Sequence, residues 1–443
     1  MDIVSSQAEI KKLMRFFEHP KAGTWQRVEL DIKRNRMGWG TLYLKDGNGK
    51  PLANQEIKVK QLTHDFKFGC NAFKLKDFEC QEKNDAYEMY FKRVFNEAVV
   101  PFLWDTLEPV ENQPRFSADS PRVERRPPVD VMLDWCEENQ IAPKGHWLFC
   151  DNFAPAWLSK DSREVMHRLE KRIALLGERY GTRIRKWDVL NETFTYHPRH
   201  NPGINDASVP ADYAYMVFKM AEKYFPVSNE FIYNDGEFIS FGAFAHDSSP
   251  MFLFADRLLR RGVKLDGLGM QFHMYGNSPE VHSAPENRNY FDPVHLLNVM
   301  DQLGKLNMPL HISEISLTTY PDLPRELAEE VQAQLLYNLY RVWFSQRNCA
   351  SIVYWNMCDK TAFGSESRFD ACLIDADFKE KPSYRMLDRL VNKEWHTETT
   401  IVTNADGEAE WNGFYGEYLL DIAGCHHKVA MTPRSENEYT LVL

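Results

Sequence analysis

The stretch "IRKWDVLNETF", Ile184 to Phe194, runs apolar through Trp187, Val189 and Leu190 and then stops on Asn191 and Glu192. The interior of a buried strand has no use for an amide and a carboxylate side by side, so the pair belongs to a strand end. A second acid, Glu314, stands in a comparable position in "PLHISEISL". Two carboxyls across one cleft are the equipment for cleaving a glycosidic bond. One is protonated and helps the leaving oxygen depart, while the other is ionised and attacks or stabilises the anomeric carbon. Two like charges at close range push one pKa upward, which supplies the proton donor. A separation of about 5–5.5 Å makes the reaction a retaining one, through a glycosyl-enzyme intermediate. Sugars also offer hydroxyls to hydrogen-bond and apolar C–H faces to stack. His146, Gln271, His273 and Trp355 fall at strand ends where an imidazole, an amide or an indole can meet that surface. Singly, a Glu at a strand end caps a helix or meets solvent, and a lone His or Trp belongs to core or rim. The joint pattern carries the assignment.

These residues need a scaffold that brings distant strand ends to one place. Short apolar strands alternate with helical stretches at 66–73, 96–104, 141–149, 184–191, 230–235, 265–273, 309–317 and 350–357. Eight such repeats are the arithmetic of a (β/α)8 barrel, an α/β fold. A doubly wound sheet is the competitor, but no Gly-rich phosphate loop follows any strand. In a barrel the ends of the fourth and seventh strands face each other across the mouth, so Glu192 and Glu314 converge. The flanking segments differ in rhythm. Residues 1–24 suggest a short amphipathic helix, and 25–64 read as strands ("WQRVELDI", "GTLYLKD", "QEIKVKQL") around a Gly/Pro turn. Residues 396–443 alternate in the same way around Asp-Gly and Gly turns. With the barrel at 65–395, both β-rich ends are expected at its bottom face, joined in one small sandwich-like domain away from the active site.

Composition narrows the partners. The 443 residues are 43% hydrophobic, with 64 acidic against 53 basic side chains and a net charge of −11. An acidic excess argues against nucleic acid or an anionic membrane surface as partner, and no apolar run approaches a membrane span. The N-terminus lacks the basic-then-apolar order of a secretory leader, which favours a cytoplasmic protein, or a secreted one if a leader has been removed. Eight scattered cysteines without a C-x-x-C pair suggest buried thiols in a reducing compartment. "GCHHKV" is taken as structural, because neighbours on a strand point to opposite faces. No metal and no cofactor are expected, since the strands gather no three ligands at plausible ends.

The motifs resemble glycoside hydrolase family 10, the retaining β-1,4-xylanase family, over roughly residues 65–395. "KWDVLNE" resembles its acid/base segment, which implies Glu192 as acid/base and Asn191 as the amide for the sugar 2-hydroxyl. "PLHISEISL" resembles the nucleophile segment and implies Glu314 as nucleophile. "GHWLFCDNFAPAWL" puts His146 in a sugar-binding position. "LDGLGMQFHMY" supplies Gln271, and His273 to hydrogen-bond the nucleophile, while "IVYWNMCD" supplies Trp355 as a stacking wall. Asn234, in "YNDGEF", is a further candidate for substrate binding.

Four departures accompany the likeness. The family's Glu-Asn-x-x-Lys-Trp run after strand two is shortened to "VVPFLWDTLEP", leaving Trp104 as the candidate sugar contact. Its Trp-His pair on strand three is Cys150-Asp151. The Asp two residues after the nucleophile is Ser316, and Gly236 replaces an aromatic after strand five. The expected substrate is xylan or a xylo-oligosaccharide. The alternatives are a decorated or different β-glycoside, a non-catalytic carbohydrate-binding barrel, and a metal-dependent barrel hydrolase.

Overall fold

The computed structural model describes residues 3–195, 208–284 and 290–443. Two helices lead, α1 (Ile3–Glu18) and α2 (Thr24–Arg36), followed by strands β1 (Met37–Lys45) and β2 (Glu56–Gln61). Then come β3 (Lys67–Asn71), β4 (Glu97–Pro101), β5 (Ala142–Phe149), β6 (Lys186–Asn191), β7 (Glu230–Asp235), β8 (Gly267–Met274), β9 (Leu310–Leu317) and β10 (Cys349–Tyr354). These eight pair in parallel and close in the order β10-β3-β4-β5-β6-β7-β8-β9, a (β/α)8 barrel with helices between its strands. Buried on both faces, they are not simple alternators: all five residues of β4 and all eight of β9 are inaccessible.

The tail adds β11 (Glu398–Val402), β12 (Glu408–Phe414), β13 (Gly416–Ile422), β14 (Cys425–Met431) and β15 (Glu438–Val442). They combine with the N-terminal strands into two sheets, β12-β1-β15 and β11-β2-β13-β14. The strict alternation of β2, with Ile57, Val59 and Gln61 buried and its Glu and Lys residues outside, supplies half a core. Leu42, Leu44, Trp411, Tyr418 and Leu420 complete it from the other strands.

One expected strand is a helix. In "WQRVELDI" the alternation puts Val28, Leu30 and Ile32 on one face, whereas helical spacing groups Val28 with Ile32 alone. The structure chooses the second: Val28 and Ile32 are buried and Leu30 is 60% exposed. The β-rich N-terminal part therefore starts at Met37 rather than at residue 25. Helix α2 lies against the long helix Arg325–Ser345, where Arg341 stacks on Trp25 and pairs with Glu29.

Arg36, the last residue of α2, joins the sandwich to the barrel base. Its guanidinium donates to the carbonyls of Phe344 (2.6 Å), Gln346 and Cys349 (2.8 Å), where the long helix ends and β10 begins. It also lies over the rings of Phe66 and Phe344, 4.5 and 5.1 Å from their centroids. All eight cysteines are free thiols, six of them buried. No described helix is long and apolar enough to cross a membrane. Arg36→Ala would remove a donor from three carbonyls at the junction, one of which, that of Gln346, keeps the Cys349 N–H. We expect a loss of about 3 kcal/mol in urea unfolding, with Arg36→Lys recovering only part of it because an ammonium cannot span all three. A loss below about 0.5 kcal/mol, the level of an ordinary surface substitution, would show that the clamp does not hold the base.

Candidate active site

The site lies at the C-terminal ends of the barrel strands, and strand register assembles it. Between β8 and β9 the register shifts after Met270, so that Gln271 stands opposite Glu314 and His273 opposite Ser316. Between β6 and β7 a shift after Asp188 brings Asn191 opposite Asn234. Such irregularities re-aim side chains, and here they turn consecutive polar residues toward one hollow.

Glu314 is buried and surrounded by donors. Its Oε1 accepts from Asn234 Nδ2 at 2.8 Å and from Gln271 Nε2 at 3.2 Å, and its Oε2 faces His273 Nε2 at 3.1 Å. A carboxylate can only accept, so this shell suits the ionised form. Glu192 follows β6 directly, in a left-handed backbone conformation (φ 53°) that turns it into the cleft, and its own N–H donates to the Asn234 carbonyl at 2.9 Å. Gln271 Nε2 also reaches Glu192 Oε1 at 2.9 Å. One nitrogen thus touches both acids, and their nearest oxygens are no more than about 6 Å apart. Burial, then the charge of Glu314, raises the pKa of Glu192 well above the usual carboxylate range, against the lowering effect of the Gln271 hydrogen bond.

His273 is governed by its neighbours. Burial alone would lower its pKa, but the hydrogen bond and charge of Glu314, with Glu366 and Glu237 beyond, outweigh this and raise it to about 9. The ring is then an imidazolium at neutral pH, donating through Nε2 to Glu314 and through Nδ1 to Ser316 Oγ at 2.9 Å. Ser316 also receives the Tyr275 hydroxyl at 2.9 Å. On the far side, His146 Nδ1 meets Asp188 Oδ2 at 2.8 Å, which leaves Nε2 facing Glu314 Oε1 at 3.8 Å. Asp188 pairs in turn with Lys144 at 2.9 Å, and both are buried. Trp355 directly follows the eighth barrel strand, its ring edge-on to Phe73 and His146 at centroid distances of 5.2 Å each.

The structure thus gathers Glu192, Glu314, Asn191, Gln271, His273, His146 and Trp355, and it gives two other candidates different surroundings. Asn234, expected to bind substrate, is fully buried: its Nδ2 donates to Asn191 Oδ1 (2.7 Å) and Glu314 Oε1, and its Oδ1 accepts from Ser313 (2.5 Å). It positions other groups. Gly269 permits this, since a Cβ there would come within 2.2 Å of Asn234 Oδ1. Trp104, expected as a sugar contact, is 4% exposed; it packs edge-on against Trp157, lies under Arg172 and donates to Glu108 at 3.0 Å. Its faces are spent on the core.

Residues not singled out from sequence are Lys144, Asp188, Ser313 and Tyr275. Period-2 alternation places Lys144 and His146 on one face of β5, and that pattern was a usable signal for the first. Gly236 also has a reason: a Cβ there would meet Thr195 Oγ1 at 2.5 Å, and that hydroxyl ties the chain after Glu192 to Asp235 at 2.7 Å. Among the described residues, no group of three or more potential ligands could hold a metal ion.

Comparison with known proteins agrees with this architecture. The chain is 24% identical over 382 residues to the anti-sigma-I factor RsgI6 of Acetivibrio thermocellus, spanning 85% of this chain and 44% of that protein. It is 22% identical over 385 residues to the endo-1,4-beta-xylanase 5-like protein of Arabidopsis thaliana, spanning 83% of this chain and 59% of that one. It therefore covers only about half the length of these two relatives. The crystal structure of xylanase 10B from Thermotoga petrophila RKU-1 in complex with xylobiose superposes with a TM-score of 0.58 at 20% identity, covering 74% of this chain and 95% of that chain. The model of glycosyl hydrolase family 10 matches residues 61–389, which include all eight barrel strands and the helix Pro382–Arg389, and the chain belongs to that family.

Proposed function

We propose that this protein is a retaining β-glycosidase that cleaves β-1,4-linked xylan or xylo-oligosaccharides, with Glu314 as nucleophile and Glu192 as acid/base. The observation that carries this reading is the shared amide of Gln271, which limits the two carboxylates to about 6 Å. That is below the roughly 6.5–9.5 Å an inverting enzyme needs to seat a water between them. Relatives and a solved neighbour named as xylanases support the substrate class.

In the first step Glu314 attacks the anomeric carbon while Glu192, kept protonated by burial and by the charge opposite, gives its proton to the departing oxygen. The bond from anomeric carbon to leaving oxygen breaks as the ester to Glu314 forms. In the second step Glu192, now ionised, takes a proton from water. The water oxygen bonds to the anomeric carbon, and Glu314 leaves as carboxylate. Gln271, Asn234 and His273 hold the nucleophile through both steps. Asn191, its carbonyl oxygen bound by Asn234, is left with its amino group to donate to the sugar 2-hydroxyl.

Glu314→Ala should abolish turnover of every β-xyloside. Glu192→Ala should cost about 10²- to 10⁴-fold on natural linkages and less on aryl glycosides whose leaving group needs no proton. Unchanged activity in either variant would end the assignment. The pH dependence has a definite sign. Glu192 acts in its protonated form, so kcat/KM falls as pH rises through its elevated pKa. Glu314→Gln removes the opposing charge and should shift the Glu192 titration, followed by carbon-13 NMR of its carboxyl, to lower pH. A midpoint that does not move would mean that the two acids are not electrostatic neighbours.

A further inference from the structure

Several buried charges in this barrel are paired: Lys144 with Asp188, Lys186 with Glu97, Lys381 with Asp359. The buried Arg115 and Arg172 spend donors on backbone carbonyls instead, and two further arginines, adjacent in the chain, keep several donors unused. Arg125 and Arg126 are 6% and 8% exposed. Among the described residues neither guanidinium has a carboxylate within 4 Å. Arg125 Nη2 donates to the neutral Asn356 Oδ1 at 3.0 Å, and Arg126 Nη1 to the Arg125 carbonyl at 2.8 Å. Among the described residues, Nε and Nη1 of Arg125, and Nε of Arg126, are buried without an acceptor. The acid nearest in sequence-built contacts, Asp77, accepts only the backbone N–H of Arg125 (2.8 Å) and is neutralised by Lys74 (2.9 Å) and Arg122 (2.8 Å). Glu366 and Asp105 act on the pair only from a distance. Two like charges, desolvated side by side, are costly unless something anionic completes them.

Their contacts, against the wall of the cleft, say what that is. Arg126 lies 4.9 Å over the ring of Phe73, and Arg125 5.7 Å from it. Phe73 meets Trp355 edge-on, and Arg125 is bonded to Asn356, the next residue. The pair therefore stands behind the β3 and β10 wall, across the mouth from Glu192 on β6. With Glu192 on the leaving-group side, this is the glycone side. We propose that Arg125 and Arg126 form an anion subsite at the glycone end, and that the preferred substrate carries an acidic group there, a uronic-acid carboxylate or a sulfate ester. The direction of the cleft rests on the acid/base and nucleophile assignment above. The fork of donors on each guanidinium suits either planar carboxylate or sulfate oxygens.

The test uses full-length Glu314→Ala protein, so that ligands survive, and three matched xylo-oligosaccharides: neutral, bearing a glucuronic acid branch, and bearing a sulfate. Calorimetry should show one acidic ligand bound about tenfold or more tighter than the neutral one, with an advantage that shrinks as salt is added. The acidic ligand that wins identifies the group. Arg125→Gln and Arg126→Gln should each reduce the preference, and Arg126→Lys should retain part of it. Equal or tighter binding of the neutral ligand, binding of none of the three, or a preference that survives both Gln variants would overturn the proposal. If a Gln variant does not fold, the comparison of three ligands on the arginine-bearing protein still decides. Residual hydrolysis by the Glu314→Ala protein would sink the nucleophile assignment while leaving the binding preference to be read on its own.

Discussion

Two carboxyl groups must be kept within about one sugar's width of each other in a buried hollow, and the surrounding structure answers that requirement. Unassisted, the pair would spread apart or take up protons without discrimination. The barrel separates their roles by allotting donors unequally. Among the described residues, Glu314 has Asn234, Gln271 and His273 around its two oxygens, whereas Glu192 has Gln271 alone. A proton shared by two such acids goes to the one with less compensation, which is Glu192, the one whose pKa is raised. The difference is set by strand register: the shift at Gln271 places that amide between the acids, and the shift before Leu190 sets Asn191 against Asn234.

Beneath the mouth, the barrel interior is polar but neutralised. Lys144 and Asp188 compensate each other, and Asp188 orients His146; Lys186 covers Glu97; His311 is bonded to Ser351 at 2.8 Å. Burial pushes His311 well below the usual imidazole range, so it adds no charge. Paired charges of this kind add little net stability but fix orientation. Arg125 and Arg126, beside the wall of Phe73 and Asn356, have no such carboxylate partner among the described residues.

Much of this was legible in the sequence. The eight barrel strands follow from short apolar runs separated by helical stretches, and the two glutamates from their positions at strand ends. Three features were not legible, for distinct reasons. The segment at Thr24–Arg36 fits both periods, and only the neighbouring long helix decides between them. Trp104 and Asn234 lie beside chemistry in sequence, yet side-chain direction rather than position assigns one to the core and the other to holding Glu314. The arginines at 125 and 126 sit in a Pro-flanked loop whose composition suggests solvent. Their burial depends on Phe73 and Asn356, which are far away in the chain.

The substitution at Ser316 shows how a divergent member of the family keeps Glu314 in order. A carboxylate at that position would share the His273 proton and charge with Glu314. A hydroxyl cannot, because it carries no charge and can only fix the ring. Ser316 does this with help from Tyr275, which bonds the same oxygen and lies parallel to the imidazole at 5.6 Å between centroids. With no acid at 316, the positive charge of His273 is directed to Glu314, with Glu366 and Glu237 as its more distant partners. The exchange removes one negative charge from the crowded mouth and leaves the cation that faces Glu314 in place. The electrostatic task is conserved here even though the residue that usually performs it is not.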